Sequence, residues 1–210
     1  NERFSLKIKM QKIAVLDYGM GNLHSVSKAI EKVSTNNRIF ISNDLKEIQA
    51  SNKLVIPGVG AIRDCMNSIA SQGMDDLIRR FSEEKPILGV CVGMQLLLQG
   101  SEENGGTECL GLLDGFLEKL KPAKDIKVPH MGWNKVFQKR DHPMFNGISQ
   151  NSFFYFVHSY AALNSENKVS ITSHGEDFVS SVYKDNIFAV QFHPEKSQQD
   201  GLRIYKNFIS

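Results

Sequence analysis

The sequence predicts an α/β protein: a central, mostly parallel sheet flanked by helices, followed by a β-rich second half. Three observations predict it. Short continuous apolar runs such as Ile13–Leu16 and Ile87–Val90 have the pattern of strands covered on both faces. The segments between such runs carry apolar residues at helical spacing. After residue 105 the texture changes to strand-like stretches separated by turns, closed by a single helical stripe. Short strands alternating with helices imply parallel pairing, because each return across the sheet needs a crossover.

Taken in order, Ile13–Leu16 is a strand ending in the turn Asp17–Asn22. Leu23, Val26, Ile30 and Val33 then mark a helix. Arg38–Ile41 reads as a second strand, Asp44–Ala50 as a short helix, and Lys53–Ile56 as a third strand closed by Pro57-Gly58. Ile62, Met66 and Ile69 give one helical stripe, and Leu77, Ile78 and Phe81 another. Pro86–Val90 is a fourth strand running straight into Cys91, and Gly93–Gln99 reads as helical. Strands are expected at Phe116–Leu120, Trp133–Phe137, Phe153–Val157, Val169–Ser173, Phe178–Tyr183 and Ile187–Phe192, with a closing helix at Gly201–Ile209. Ser101–Thr107 is expected to be a mobile surface loop.

The 210 residues suit one large domain, 10–210, with residues 1–9 read as an extension outside it. A net charge of +2 gives no electrostatic argument for nucleic acid or an anionic membrane. No apolar run approaches the roughly 20 residues that a bilayer requires. Cys65, Cys91 and Cys109 form neither a disulfide framework nor a metal-ligand pair, which suits a reducing cytoplasm. No metal is expected.

The chemistry gathers at two places. In Gly89-Val90-Cys91-Val92-Gly93 a nucleophile stands between glycines at a strand-to-helix junction, the geometry of a nucleophile elbow. The turn demands small neighbours, and a helix start supplies N–H donors that favour a thiolate. A buried structural cysteine is the plainer reading. In Gln191-Phe192-His193-Pro194-Glu195 a histidine and a carboxylate lie two apart past a strand end. That spacing lets an imidazole stand between a thiol and its orienting acid; alone, the triplet is equally a solvated loop. His24, His142 and His174 read as surface groups. Pro57-Gly58-Val59-Gly60 offers backbone N–H groups for an oxyanion, or is a plain βα turn. Asp17–Asn22 fails as a dinucleotide loop because His24 stands where the third glycine belongs. No Walker pattern appears, so nucleotide binding is disfavoured.

Gly-Val-Cys-Val-Gly-Met-Gln (89–95) and His-Pro-Glu (193–195) together resemble the class I, or triad, glutamine amidotransferase domains, whose fold is flavodoxin-like. Four further segments are similar to the glutaminase subunits of imidazole glycerol phosphate synthases: Asp17–Leu23, Val128–Asn134, Tyr155–Tyr160 and His193–Ser197. The resemblance implies Cys91 as nucleophile, His193 as acid–base and Glu195 as its orienting acid. It implies Gly58, Val59, Gly60 and Val92 around the oxyanion, and Gln95, Ser159 and Tyr160 at the glutamine head group. No cofactor is implied. The implied partner is a (β/α)₈ cyclase subunit in a heterodimer, which uses the ammonia in histidine biosynthesis to make imidazole glycerol phosphate and aminoimidazole carboxamide ribotide. Tyr18, Gly19, Met20, Asn22, His130, Trp133 and Asn134 are the expected docking rim or gate. Val92 departs from the family pattern, where leucine is usual. Control is expected through a flip of the Gly58–Gly60 peptides when acceptor binds the partner.

Three other readings remain at this stage. A paralogous triad glutaminase could feed another acceptor, such as a nucleotide-sugar amidination. A stand-alone cysteine hydrolase would be active without a partner. A non-catalytic regulatory subunit would keep only the fold.

Overall fold

The apolar run before the first turn becomes β1 (Lys12–Leu16), whose last four residues are buried, as a strand in the middle of a sheet must be. The computed structural model describes residues 10–210, so the expected extension at 1–9 lies outside the described residues. The chain alternates through α1 (Leu23–Val33), β2 (Arg38–Ser42), α2 (Leu45–Gln49), β3 (Lys53–Ile56), α3 (Ile62–Ser71), α4 (Met74–Glu84), β4 (Ile87–Val90) and α5 (Val92–Leu97). Each long helix turns its apolar stripe inward, as Met74, Leu77, Ile78 and Phe81 of α4 show. Asp44 starts α2 by accepting the N–H groups of Lys46 and Glu47.

The second half supplies β5 (Gly100–Ser101), β6 (Thr107–Glu108), β7 (Phe116–Lys119), β8 (His130–Lys135), β9 (Phe137–Gln138), β10 (Phe153–His158), β11 (Tyr160–Ala162), β12 (Lys168–His174), β13 (Glu176–Lys184), β14 (Ile187–Val190) and α6 (Gln198–Ile209). One sheet of eight strands runs β2-β1-β3-β4-β14-β13-β12-β9. Its first five strands are parallel, and β13, β12 and β9 extend it in antiparallel fashion. The other strands form a four-stranded sheet, β11-β7-β5-β6, and the pair β10-β8. Helices α1 and α6 pack on each other, while α3 packs on α4 and α5 and α2 on α4. The fold is the expected mostly parallel α/β sheet with a β-rich second half.

Several boundaries differ from expectation. β8 begins at His130, three residues before the expected Trp133, because His130 and Met131 pair with His158 and Val157 of β10. It ends before Phe137, which pairs instead with Ile171 of β12 in the main sheet. The helix after Cys91 stops at Leu97, since Leu98 is extended and Gln99 donates to the Gly115 carbonyl. Residues 101–107, expected as a mobile loop, form the β5–β6 turn. The Glu103 carboxylate there accepts from the Ile62 N–H (3.0 Å), and Arg63 donates to the Gly106 carbonyl (2.9 Å).

Candidate active site

β4 lies between β3 and β14, and its carboxyl end delivers Cys91 to the edge where open α/β sheets bind ligands. Cys91 is held at φ 55°, ψ −112°, a conformation costing a non-glycine residue about 1–3 kcal/mol. Its surroundings enforce the bend. A Cβ on Gly89 would stand 2.8 Å from the Gly93 carbonyl, and one on Gly93 would collide with the Ile56 carbonyl of β3. The Cys91 N–H donates to Val190 (2.8 Å), and its carbonyl accepts from Met94 and Gln95 at the start of α5.

The parallel register that sets Val90 beside Val190 brings the segment after β14 alongside the nucleophile. Gln191 Nε2 lies 3.8 Å from the Cys91 sulfur, and Gln191 Oε1 accepts from Gln95 Nε2 at 3.0 Å. His193 Nδ1 lies 2.7 Å from Glu195 Oε1, with both side chains buried. Tyr205 of α6 donates to Glu195 Oε2 at 3.2 Å; burial, then the neighbouring carboxylate, keeps that phenol protonated. Backbone position is set by His193 N–H donating to Tyr155 (2.9 Å) and by Ser197 Oγ donating to the His193 carbonyl (2.6 Å).

His193 Nε2 is buried without a hydrogen-bond partner among the described residues. Burial alone would lower the pKa of this imidazole. The adjacent Cys91 sulfur, and then Glu195, override burial and raise it to about 10. The thiol and the ring are thus electrostatic neighbours. A ring held charged beside a sulfur, with its other nitrogen fixed by a carboxylate, can carry a proton from nucleophile to leaving group.

The Pro57–Gly60 segment follows β3 and flanks the nucleophile. Tyr18 Oη donates to the Pro57 carbonyl (2.8 Å), and Cys65 Sγ donates to the Val59 carbonyl (3.6 Å). A Cβ on Gly58 would come within 2.9 Å of Val92 Cβ, so this backbone packs directly on the first turn of α5. The first N–H groups of that helix, from Val92 and Gly93, have no acceptor within it. Gly60 takes φ +102° with open space around it.

One sequence expectation changes here. Tyr18 was grouped with the docking rim, but it is fully buried and braces the Pro57–Gly60 segment. Cys65, also fully buried, braces the same segment. Burial holds its thiol up at about 11, so it stays a donor.

Cys91 opens into a cavity of about 360 Å³ lined by Val59, Gly60, Val92, Gln95, Ser159 and Tyr160, all picked out on sequence. Glu103, Pro129, Val157 and His158 also line it and were not picked out. Gln95 is fixed by donating to the Tyr160 carbonyl (3.1 Å) as well as to Gln191. No sequence signal marked Glu103, which stands in a Gly- and Asn-rich turn that reads as solvated. Tyr205 carried only a helical stripe.

Of the expected rim, Trp133 is 46% exposed, Gly19 and Asn22 are exposed, and Met20 is half-buried. His130 is buried against Phe156 and His174, at centroid distances of 4.8 and 4.0 Å, so it cannot itself form a docking contact here. Asn134 is half-buried and turns its amide to His130 and the Ser173 carbonyl. His24 is exposed as expected, but His142 and His174 are more than surface groups. His142 accepts from the Met144 N–H and stacks on Phe188 (4.9 Å); His174 bonds the Lys127 carbonyl (2.8 Å). Among the described residues no group of three His, Cys, Asp or Glu side chains is arranged to hold a metal ion, and no helix is long and apolar enough to cross a membrane.

Comparison with known proteins identifies the family and the fold. The family model for class-I glutamine amidotransferases matches residues 14–210. The chain is 48% identical to imidazole glycerol phosphate synthase subunit HisH of Nitrosococcus oceani, over 96% of this chain and 98% of that protein. It is 49% identical to subunit HisH 1 of Pseudomonas aeruginosa, over 96% and 97%. Among solved structures, PurLQS from Thermotoga maritima superposes with a TM-score of 0.71 at 18% identity, covering 95% of this chain and 98% of that one. A glutamine amidotransferase superposes with a TM-score of 0.71 at 16% identity, over 94% and 96%. At such identities these two support the fold.

Proposed function

This chain belongs to the class I glutamine amidotransferase family, and from that premise we propose that it is the glutaminase subunit of an imidazole glycerol phosphate synthase. The observation that carries the reading is the Cys91–His193–Glu195 constellation, whose Cys91 lines an amino-acid-sized cavity, in a chain alike over nearly its whole length to subunits bearing that name.

With its proton already carried by His193, the Cys91 sulfur attacks the side-chain carboxamide carbon of glutamine. N–H groups of Val92 and of the Gly58–Gly60 segment stabilise the oxyanion. His193 then protonates the departing ammonia, leaving a γ-glutamyl thioester on Cys91. Water, deprotonated by His193, hydrolyses the thioester to glutamate and restores the thiol. Glu195, itself held by Tyr205, keeps His193 in the required tautomer.

Gln95, Ser159 and Tyr160 take the substrate's polar head. Glu103 is the one carboxylate among the described lining residues, which suits it to the α-ammonium group. Glu103→Gln is therefore expected to raise the KM for glutamine by roughly tenfold with little change in kcat, as loss of a charged contact shared by ground and transition states should do. Steady-state glutamate release measures this, and an unchanged KM would remove Glu103 from the site.

Ammonia protonates in neutral water, so a docked acceptor subunit is needed. A (β/α)₈ cyclase forming a heterodimer over the exposed Met131, Trp133 and Val59 surface fits that need. Operation in the cytoplasm suits three cysteines that are all free thiols.

A further inference from the structure

Resting on that reading, we propose that His130 and His158 are positioning residues for the glutamine cavity. They form a buried, one-way hydrogen-bonded chain from Asn134 to the Tyr160 carbonyl, and this chain sets where Ser159 and Tyr160 stand against substrate. The two histidines face each other across the β8–β10 pair. His158 Nδ1 lies 2.9 Å from the Tyr160 carbonyl, which can only accept, so Nδ1 carries the hydrogen. His158 Nε2 lies 2.9 Å from His130 Nδ1, and His130 Nε2 lies 3.1 Å from Asn134 Nδ2.

The amide of Asn134 is itself oriented. Its nitrogen donates to the Ser173 carbonyl (2.9 Å), and its oxygen accepts from the Lys135 N–H (2.8 Å). Asn134 must therefore donate to His130 Nε2, and His130 must donate from Nδ1 to His158. Every ring nitrogen is assigned. A second proton on either ring would set two donors against each other. Burial first, then the neighbouring histidines, holds His130 down to about 3; burial likewise lowers His158 to about 4, against the Tyr160 hydrogen bond.

The inner end meets the substrate site. The Tyr160 carbonyl that receives His158 also receives Gln95 Nε2, and His158 and Tyr160 both line the cavity. The outer end sits on β8, whose Met131 and Trp133 are 62% and 46% exposed. Covering that strand with a partner would act on Tyr160 through rings already fixed by stacking.

His130→Phe keeps the stack and removes both hydrogen bonds, whereas His130→Asn places an amide nitrogen where Nδ1 stood. With chain and cyclase assembled, two quantities are read. One is the KM for glutamine. The other is the ratio of Cys91 labelling rates by a glutamine-shaped chloroketone and by iodoacetamide, which needs no glutamine pocket. His130→Phe is expected to raise KM and lower the ratio by roughly tenfold, with iodoacetamide labelling unchanged and His130→Asn recovering most of the loss. Nitrogen NMR of the wild type is expected to show both rings neutral and protonated on Nδ1 at pH 7. Should His130→Phe fail to fold, Asn134→Leu at the half-buried outer end is expected to shift both quantities in the same direction.

Unchanged KM and ratio in the folded variant, or Nε2-protonated or charged rings in the wild type, would overturn the proposal. A wild-type chain with no preference for the glutamine-shaped reagent would instead defeat the glutaminase reading itself, and the chain's purpose with it.

Discussion

Cys91→Ser is expected to lower glutamate release by at least about 10⁴-fold, since removing the nucleophile of a triad removes the covalent route altogether. The substitution is nearly isosteric, and the backbone bonds of residue 91 to Val190, Met94 and Gln95 do not involve its side chain. Thermal stability is therefore expected to stay within about 1 kcal/mol of the parent. A second readout separates chemistry from collapse. The Cys91 sulfur is the strongest influence raising the His193 pKa, so replacing it with a hydroxyl lowers the pH at which that ring deprotonates. Retained turnover in the serine variant would remove Cys91 from the reaction.

Gly93→Ala is expected to destabilise the protein by about 3 kcal/mol or more, because the added methyl collides with the Ile56 backbone carbonyl, which cannot rotate aside. That carbonyl belongs to β3, directly before the Pro57–Gly60 segment. Any relief moves the Pro57–Gly60 segment and Cys91 apart, so activity is expected to fall further than stability. Chemical denaturation measures the first effect and glutamate release under native conditions the second. An alanine variant of parental stability would contradict the close approach of α5 to β3.

What could be read before the structure follows from how local each signal is. Strands β1, β3, β4 and β14 were legible because burial on both faces leaves unbroken apolar runs. Cys91 was legible because its strained turn forces glycines at 89 and 93, and a steric demand shows itself within five residues. His193 and Glu195 lie two apart, so their pairing was local as well. Features assembled across sequence distance left no such trace. Tyr205 reaches Glu195 because α6 packs back on the 194–196 turn that precedes it, and on sequence it was one more apolar helical position.

The histidines mark the limit most clearly. His130 and His158 are 28 residues apart and meet only through the antiparallel register of β8 and β10, while the strand reading began β8 at Trp133 and left His130 outside it. Tyr18 was misplaced for a related reason, since a side chain that braces a neighbouring loop resembles in sequence a rim aromatic. Glu103 was taken for part of a mobile loop, yet its carboxylate ties that turn to the start of α3, where α3 has no side-chain cap of its own.

The most direct test measures glutamate release from glutamine by the purified chain alone, with the (β/α)₈ cyclase subunit, and with that subunit plus its acceptor nucleotide. If the Gly58–Gly60 segment gains one oxyanion donor when the acceptor is bound, turnover in the full assembly should exceed that of the isolated chain by about 10²–10³-fold. An isolated chain that turns over glutamine as fast as the acceptor-bound assembly would contradict the account.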